Sequence, residues 1–313
     1  MRGGRGDAGT DERYPVAVTD DSGRATEGET VSVGNGTIRA GGTVGAVAWG
    51  LCSEPGPVRT HNEDFAGASV PVAGDGVGRR EPLFALADGL GGHAAGEMAS
   101  RTAIETMLAR WAAGGNDDTA KALRACARDA NTAVVTASYE KGRAGMGSTL
   151  TALALSGREA LIVHVGDSRA YLVRGDSCTQ LTNDHSRVGE MLRMKLITPE
   201  RAATHPARSQ LTRSLGATLS LQVDLVRRPV EPGDTFVLCS DGLWDEVARA
   251  EIQLLVEGID EGVTDAAGAA SSLVGMAVDR GAADNVTAVV VRLLDHQDVT
   301  AADQRRSRFR RRR

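Results

Sequence analysis

The sequence predicts an α+β fold with mostly antiparallel sheets and helices in pairs outside them. Three observations predict it. Short apolar runs alternate with longer segments of helical period. Several neighbouring runs are joined by only a few residues, a reach that suits antiparallel neighbours and not parallel ones. The helical segments come two by two instead of separating every strand, which argues against a doubly wound sheet.

Residues 1–43 are rich in Gly, Asp, Thr and Ser, with few large apolar side chains. Such a segment cannot bury enough surface to offset its ordering entropy and is expected to be disordered. The compact body is expected over 44–294, a length that one core can still accommodate. Strands are expected at Val44–Cys52, Leu83–Ala87, Ser148–Leu155, Ala160–Val165, Ala170–Val173, Leu221–Val226, Thr235–Cys239 and Val286–Leu293. Helices are expected at Ala94–Ala113, Asp118–Tyr139, Arg249–Glu257 and Thr264–Arg280. In the second of these, Leu123, Ala127, Ala130 and Val134 share one face, and Asp117 or Asp118 supplies the N-cap. Thr182–Gly216 breaks the pattern and reads as an inserted surface lobe of short helices. Residues 295–313 form a polar, then arginine-rich tail.

Composition narrows the function. Hydrophobic residues make up 41% and charged residues 25%, the balance of a soluble globular chain. No apolar run approaches the ~20 residues of a membrane helix, and no apolar stretch follows the N-terminal arginines as a secretory signal would require. The last nine residues, RRSRFRRRR, hold seven arginines; without them the chain carries 29 basic and 41 acidic residues. An acidic body argues against a nucleic-acid-binding core. The tail is either a solvated end or a contact for an anionic partner. Cys52, Cys126, Cys178 and Cys239 are far apart in sequence, which disfavours a cysteine zinc site and fits reduced thiols in the cytoplasm. We expect a monomer.

The acids carry the chemistry. LFALA runs into Asp88-Gly89, LIVHVG into Asp167-Ser168, FVLCS into Asp241-Gly242, and Asp284-Asn285 leads into VTAVVV. Singly, each is an ordinary turn or cap pair. Four together at the ends of apolar strands call for a shared cation, because ionised acids are costly to bury alone. Oxygen donors suit Mg²⁺ or Mn²⁺, while the few scattered histidines disfavour zinc. Arg59, four residues before Glu63-Asp64, has the fork that suits a tetrahedral phosphate, or else belongs to a salt-bridged surface loop. His164 reads as a satisfied core or edge histidine, and Trp49, Trp111 and Trp244 as packing residues. There is no Gly-x-Ser-x-Gly elbow and no P-loop ending.

These segments fall into an ordered series: Arg59-x-x-Asn62-Glu63-Asp64, Asp88-Gly-Leu-Gly-Gly-His93-x-x-Gly96-Glu97, Gly147-Ser-Thr149 and Val165-Gly-Asp167-Ser-Arg169, followed by Leu181-Thr-x-Asp184-His185-Ser186, Ser240-Asp241-Gly-Leu-Trp244-Asp245 and Asp284-Asn285-Val-Thr287. The series resembles the motifs of the metal-dependent protein Ser/Thr phosphatases, the PPM or protein phosphatase 2C family, in its bacterial form. The likeness covers about residues 44–294.

The resemblance implies a central antiparallel β-sandwich between helix pairs (α-β-β-α), with metals in a cleft at one end and the 182–216 insertion as a flap beside it. It implies that Asp88 bridges two Mn²⁺ or Mg²⁺ ions, that Asp241 and Asp284 bind the first, and that the Gly89 carbonyl binds the second, with Glu63 and Asp64 beside it. A third, weaker ion would use Asp167 with Asp241 and Asp245. Arg59 would hold the substrate phosphate. The implied reaction is hydrolysis of phosphoserine or phosphothreonine in proteins by direct attack of a metal-bridging hydroxide, with no phospho-enzyme. His93 would protonate the leaving oxygen; its alternative is a helix cap before Ala94. Bacterial Ser/Thr kinases and their targets are the implied counterparts. A silent phosphoprotein-binding scaffold is disfavoured because no ligand carboxylate is missing; an enzyme for small phosphate esters is the other alternative.

Overall fold

The computed structural model describes residues 30–33, 38–70, 81–92, 94–115, 118–260 and 262–294. Two antiparallel sheets are stacked at its centre. The first is ordered β1 (Thr30–Val33), β4 (Asp64–Ser69), β5 (Leu83–Leu90), β7 (Leu150–Ser156), β8 (Glu159–Val165) and β11 (Asp224–Pro229), with the short β6 (Gly147–Ser148) joined to β5. The second runs β10 (Ser177–Gln180), β9 (Arg169–Arg174), β12 (Thr235–Cys239), β13 (Val286–Leu293), β3 (Val47–Glu54) and β2 (Ile38–Val44).

Strand faces that alternate inward build the core between the sheets. Trp49, Leu51, Phe84, Leu86, Ile162, Phe236, Leu238, Val289 and Val291 are buried there, with the Trp49 and Phe84 rings 5.9 Å apart across the gap. The outer faces are covered by helices. α1 (Ala94–Ala112) and α2 (Thr119–Ser138) pack on the first sheet through Ile104, Met107, Leu108, Trp111, Leu123 and Val134. α6 (Arg249–Asp260) and α7 (Ala266–Asp279) cover the second through Ile252, Val256, Leu273 and Val274. Asp118 caps α2 by accepting the Lys121 amide at 3.1 Å, which satisfies one of the amides that a helix start leaves open. The α-β-β-α layering is therefore the observed architecture.

Two expectations are corrected. Residues 30–33 and 38–43 fall in the segment that composition assigns to disorder, yet they form strands. Backbone pairing along β3 does not need large side chains, and Gly41 suits a place where a Cβ would press on Ala267 and on the Trp49 carbonyl. Residues 1–29, 34–37 and 295–313 lie outside the described residues, and so do the expectations of a disordered start and a basic tail that fall on them. The second correction concerns β8 and β9. Their three-residue link reads as a hairpin, but β8 pairs with β7 and β11 while β9 pairs with β10 and β12. The link crosses from one sheet to the other. Gly166, at φ +108°, makes the crossing possible where a Cβ would strike Thr149.

Sequence patterning also passed over β4 and β10. β4 reads DFAGAS, whose small residues give no strong strand signal, and β10 is a mostly polar edge. The 182–216 lobe holds two short helices, α3 (Arg187–Arg193) and α4 (Pro199–Ala203), capped by Ser186 and Thr198. Isolated bridges Ser186↔Leu211 and Ser148↔Leu215 root it beside β6.

Gly50 lies where α7 comes closest to β3, and a Cβ there would run into the Ala267 backbone. Gly50→Ala should destabilise the fold by about 1–3 kcal/mol, read as a lower urea midpoint at unchanged slope; an unchanged midpoint would show that α7 can move aside.

Candidate active site

All the acids singled out in the sequence sit at one end of the sandwich. Asp64 opens β4 and stands opposite Asp88, near the end of β5. Asp241 follows β12 and begins the single-turn α5 (Asp241–Trp244). Asp284 precedes β13, whose start lies beside the end of β12. Asp167 lies in the link that crosses between the sheets. Arg59 and Glu63 come from another such crossing, between β3 and β4. The site is thus the seam where the chain passes from one sheet to the other.

Backbone contacts fix these positions. The Asp88 amide donates to Thr149 Oγ1 at 2.8 Å, and its carbonyl accepts from the Thr149 amide at 2.9 Å and from Ser148 Oγ at 2.9 Å. Thr149 Oγ1 in turn meets Ser168 Oγ at 2.7 Å. The Gly89 amide donates to the Glu63 carbonyl at 3.0 Å. Gly89 and Gly96 pack face to face, and a Cβ on Gly96 would meet the Glu63 carboxylate and the Gly89 carbonyl. Only glycines leave those two oxygens side by side.

The electrostatics are those of crowded acids. Asp64 and Asp167 are buried, while Asp88 and Asp241 are half-buried, walled by protein but reached by water. Burial pushes the Asp88 carboxyl well above the usual range, and the charges of Asp64, Asp241, Asp167 and Asp284 push it further. Asp241 is raised in the same way by burial and by Asp167, Asp284, Asp64 and Asp245. Burial lifts Asp64 to about 7, partly offset by hydrogen bonds from Thr287 and Ser240. Asp167 is lifted to about 7, by burial first and then by the Asp184 charge. Among the described residues none of Asp88, Asp167 and Asp241 has an ion-pair partner.

The other acids are differently placed. Asp284 Oδ2 accepts from Arg59 Nη2 at 2.7 Å, so the arginine lies at the rim of the cluster. Asp245 is paired with Arg208 of the lobe at 2.8 Å. Asp64 Oδ2 accepts from Ser240 Oγ and Thr287 Oγ1, both at 2.7 Å. His93 lies outside the described residues. His164 is a satisfied core histidine: Nδ1 meets Thr151 Oγ1 at 2.9 Å and Nε2 the Asn183 carbonyl at 3.1 Å, while burial holds its pKa down to about 4. Trp244 was read only as packing, yet its Nε1 donates to the Asp167 carbonyl at 3.1 Å.

Do these residues fit divalent cations? Among the described residues, no three carboxylate, imidazole or thiolate side chains form a ready cage around one point. The charge balance still favours cations, because burial and neighbouring aspartates raise both Asp88 and Asp241 with no basic side chain among their main influences. The donors are hard oxygens, and ions such as Mg²⁺ keep several water ligands and do not need an all-protein cage. The residues fit on charge and donor type.

The sequence profile of the family described as Protein phosphatase 2C matches residues 62–274. The serine/threonine protein phosphatase PstP of Mycobacterium tuberculosis is 37% identical over 247 residues, 78% of this chain and 44% of PstP. The chain thus spans less than half the length of that relative. Protein phosphatase PhpP of Streptococcus pneumoniae is 34% identical over 245 residues, 77% of this chain and 95% of PhpP. Among solved structures, the M. tuberculosis PstP/Ppp phosphatase superposes with a TM-score of 0.68 at 37% identity, covering 80% of this chain and 99% of that one. The PstP catalytic domain in complex with two manganese ions gives 0.66 at 34% identity, covering 80% and 99%.

A carboxyl whose folded pKa is raised holds its proton longer in the folded state. Its contribution to stability is therefore present below the unfolded value of ~3.9 and is lost as pH rises through the folded value. For Asp64 and Asp167 that window ends at about 7. Cations that take the place of those protons should stabilise more as pH rises. The rise in Tm on adding Mn²⁺ to chelator-treated protein should be larger at pH 7.5 than at pH 5; an equal rise would contradict the crowded-acid reading.

Proposed function

The chain belongs to the protein phosphatase 2C family, and from that premise we propose that it is a metal-dependent protein phosphatase releasing phosphate from phosphoserine and phosphothreonine. One observation supports this reading most: the uncompensated aspartates at the sandwich seam stand beside Arg59, the cation suited to a phosphate. In this reading Asp88, Asp241 and Asp284, with the Gly89 carbonyl and with Glu63 and Asp64 alongside, hold two Mn²⁺ or Mg²⁺ ions, and Asp167 with Asp241 and Asp245 serves a third. When bound, such ions supply Lewis acidity toward the phosphoryl oxygens and acidify water toward neutrality.

The chain's own groups do the rest. Arg59 exchanges its partner at Asp284 for the substrate phosphate and orients it through paired hydrogen bonds. Its guanidinium offsets charge on the equatorial oxygens during displacement. His93 gives the proton that the departing serine or threonine oxygen needs. The 182–216 lobe acts as a flap bordering the cleft. Ser/Thr kinases are the counterparts, since each substrate must first have received its phosphate.

Among the described residues no helix is long and apolar enough to cross a membrane. None of the four cysteines forms a disulfide and three are buried, which supports a reducing, cytoplasmic setting. We read the 305–313 arginine run as a contact for an anionic partner or as a solvated end.

Full-length protein with Mn²⁺ should release phosphate from a phosphothreonine peptide and stop on chelation. Asp88→Asn and Asp241→Asn should each lower turnover by about 10²-fold or more, and Arg59→Ala should raise KM by about tenfold through loss of a charge-assisted contact. Turnover that survives chelation would refute the assignment, and turnover of small esters without peptides would restrict it.

A further inference from the structure

Arg169 ties together three segments that the proposed chemistry uses separately. It opens β9, opposite Cys239 at the end of β12, one residue short of the Ser240-Asp241 pair. Its fork grips Asp184 at the root of the lobe, with Nη2 to Oδ2 at 2.7 Å and Nε to Oδ1 at 3.1 Å. Gln180 Nε2 holds the same carboxylate at 3.0 Å. The guanidinium lies 3.6 Å from the centre of the Trp244 ring, and its Nη1 donates to the Tyr171 hydroxyl at 3.2 Å. Trp244 ends the turn that Asp241 begins, and its Nε1 reaches back to the Asp167 carbonyl. The Asp184 and Arg169 side chains are only 12% and 18% exposed, so the pair is shielded from the screening that weakens surface ion pairs.

The chain of contacts therefore runs from the lobe root through a planar cation and an indole to the backbone of Asp167. Each link is directional: a bidentate ion pair, a stacked ring and one N–H donor. Without the indole N–H, the Asp167 carbonyl loses the contact that ties it to the turn bearing Asp241. We infer that Arg169 is a positioning residue: by bracing Trp244 against Asp184 it sets Asp167 relative to Asp241, and so sets the affinity for the cation those two carboxylates share. The inference rests on the metal-binding reading of the site and adds to it a second layer that links ion affinity to the seating of the lobe.

Mn²⁺ alone, titrated into the full chain and followed by the EPR signal of free Mn²⁺, separates the two readings. Asp167→Asn marks which ion depends on that carboxylate. Trp244→Phe keeps a ring under the guanidinium but removes the N–H donor, and Arg169→Lys keeps the charge but removes the fork. Both should weaken the Asp167-dependent ion by about tenfold, the low end of the effect of a residue that orients a metal ligand, while the tighter ions and the metal-free Tm of Trp244→Phe stay as in wild type. A purely structural role would lower Tm or weaken all ions together, and either result overturns the brace. Mn²⁺ binding by Trp244→Phe identical to wild type also overturns it. If Arg169→Lys does not fold, Trp244→Phe decides. Wild-type protein that binds no Mn²⁺ would instead refute the metal-binding reading itself.

Discussion

The structure is organised around an unfavourable act: like charges are held together where protein replaces part of the surrounding water. Asp64, Asp88, Asp167, Asp241 and Asp284 reach the same end of the sandwich from both sheets. Burial and the neighbouring charges raise the cost of ionising Asp88 and Asp241. A marginally stable domain keeps such a cluster only where the rest of the fold over-determines the positions. Here the antiparallel ladders do so, since Asp64 opposite Asp88 and the end of β12 beside the start of β13 are consequences of register. A one-residue slip would send the acids to opposite faces and empty the core at the same time.

Two of the crossings between sheets turn this scaffold into a site. A link that stays within one sheet keeps its residues at the rim of that sheet. The β8–β9 link and the β3–β4 link leave one layer for the other, and so place Asp167, Arg59 and Glu63 over the seam. Gly166 permits the β8–β9 crossing, while the Thr149–Ser168 hydroxyl contact fastens it to the residue between β6 and β7.

Much of this was legible in the sequence, and the remainder was hidden for physical reasons. Apolar runs located β5, β8, β12 and β13 because their side chains face two layers, and the aspartates that end or precede them marked the site. β4 was hidden because its residues are small, so DFAGAS has no hydrophobic rhythm although every residue is buried. β2 was hidden because Gly41 stands where α7 approaches, a need that exists only after folding. The β8–β9 crossing could not be read because three residues suffice for a hairpin and for a change of sheet alike. Within the site, Trp244 passed for packing because an indole's donor has no meaning until its acceptor, a backbone carbonyl 77 residues away in the chain, is known.

The acids do not form one class, and their partners divide them. Asp64 is equipped with donors from inside the protein: Ser240 and Thr287, both carried by the opposite sheet, place hydroxyls on the same carboxylate oxygen. That arrangement joins the two sheets at the seam and satisfies the buried oxygen whatever else binds. Ser53 meets Thr287 Oγ1 at 2.7 Å and Asn62 at 2.8 Å, so the join continues as a network and not as a single bond. Asp88 and Asp241 differ: ladder and hydroxyl contacts fix the Asp88 backbone and the turn of α5 fixes that of Asp241, while among the described residues neither carboxylate is held in an ion pair. A carboxylate held by hydroxyls builds the wall, whereas one held only by its backbone is available to a mobile cation. By that criterion Asp64 contributes to the site chiefly by fixing its geometry, and Asp88 and Asp241 are the acids whose charge the folded chain leaves for an ion to balance.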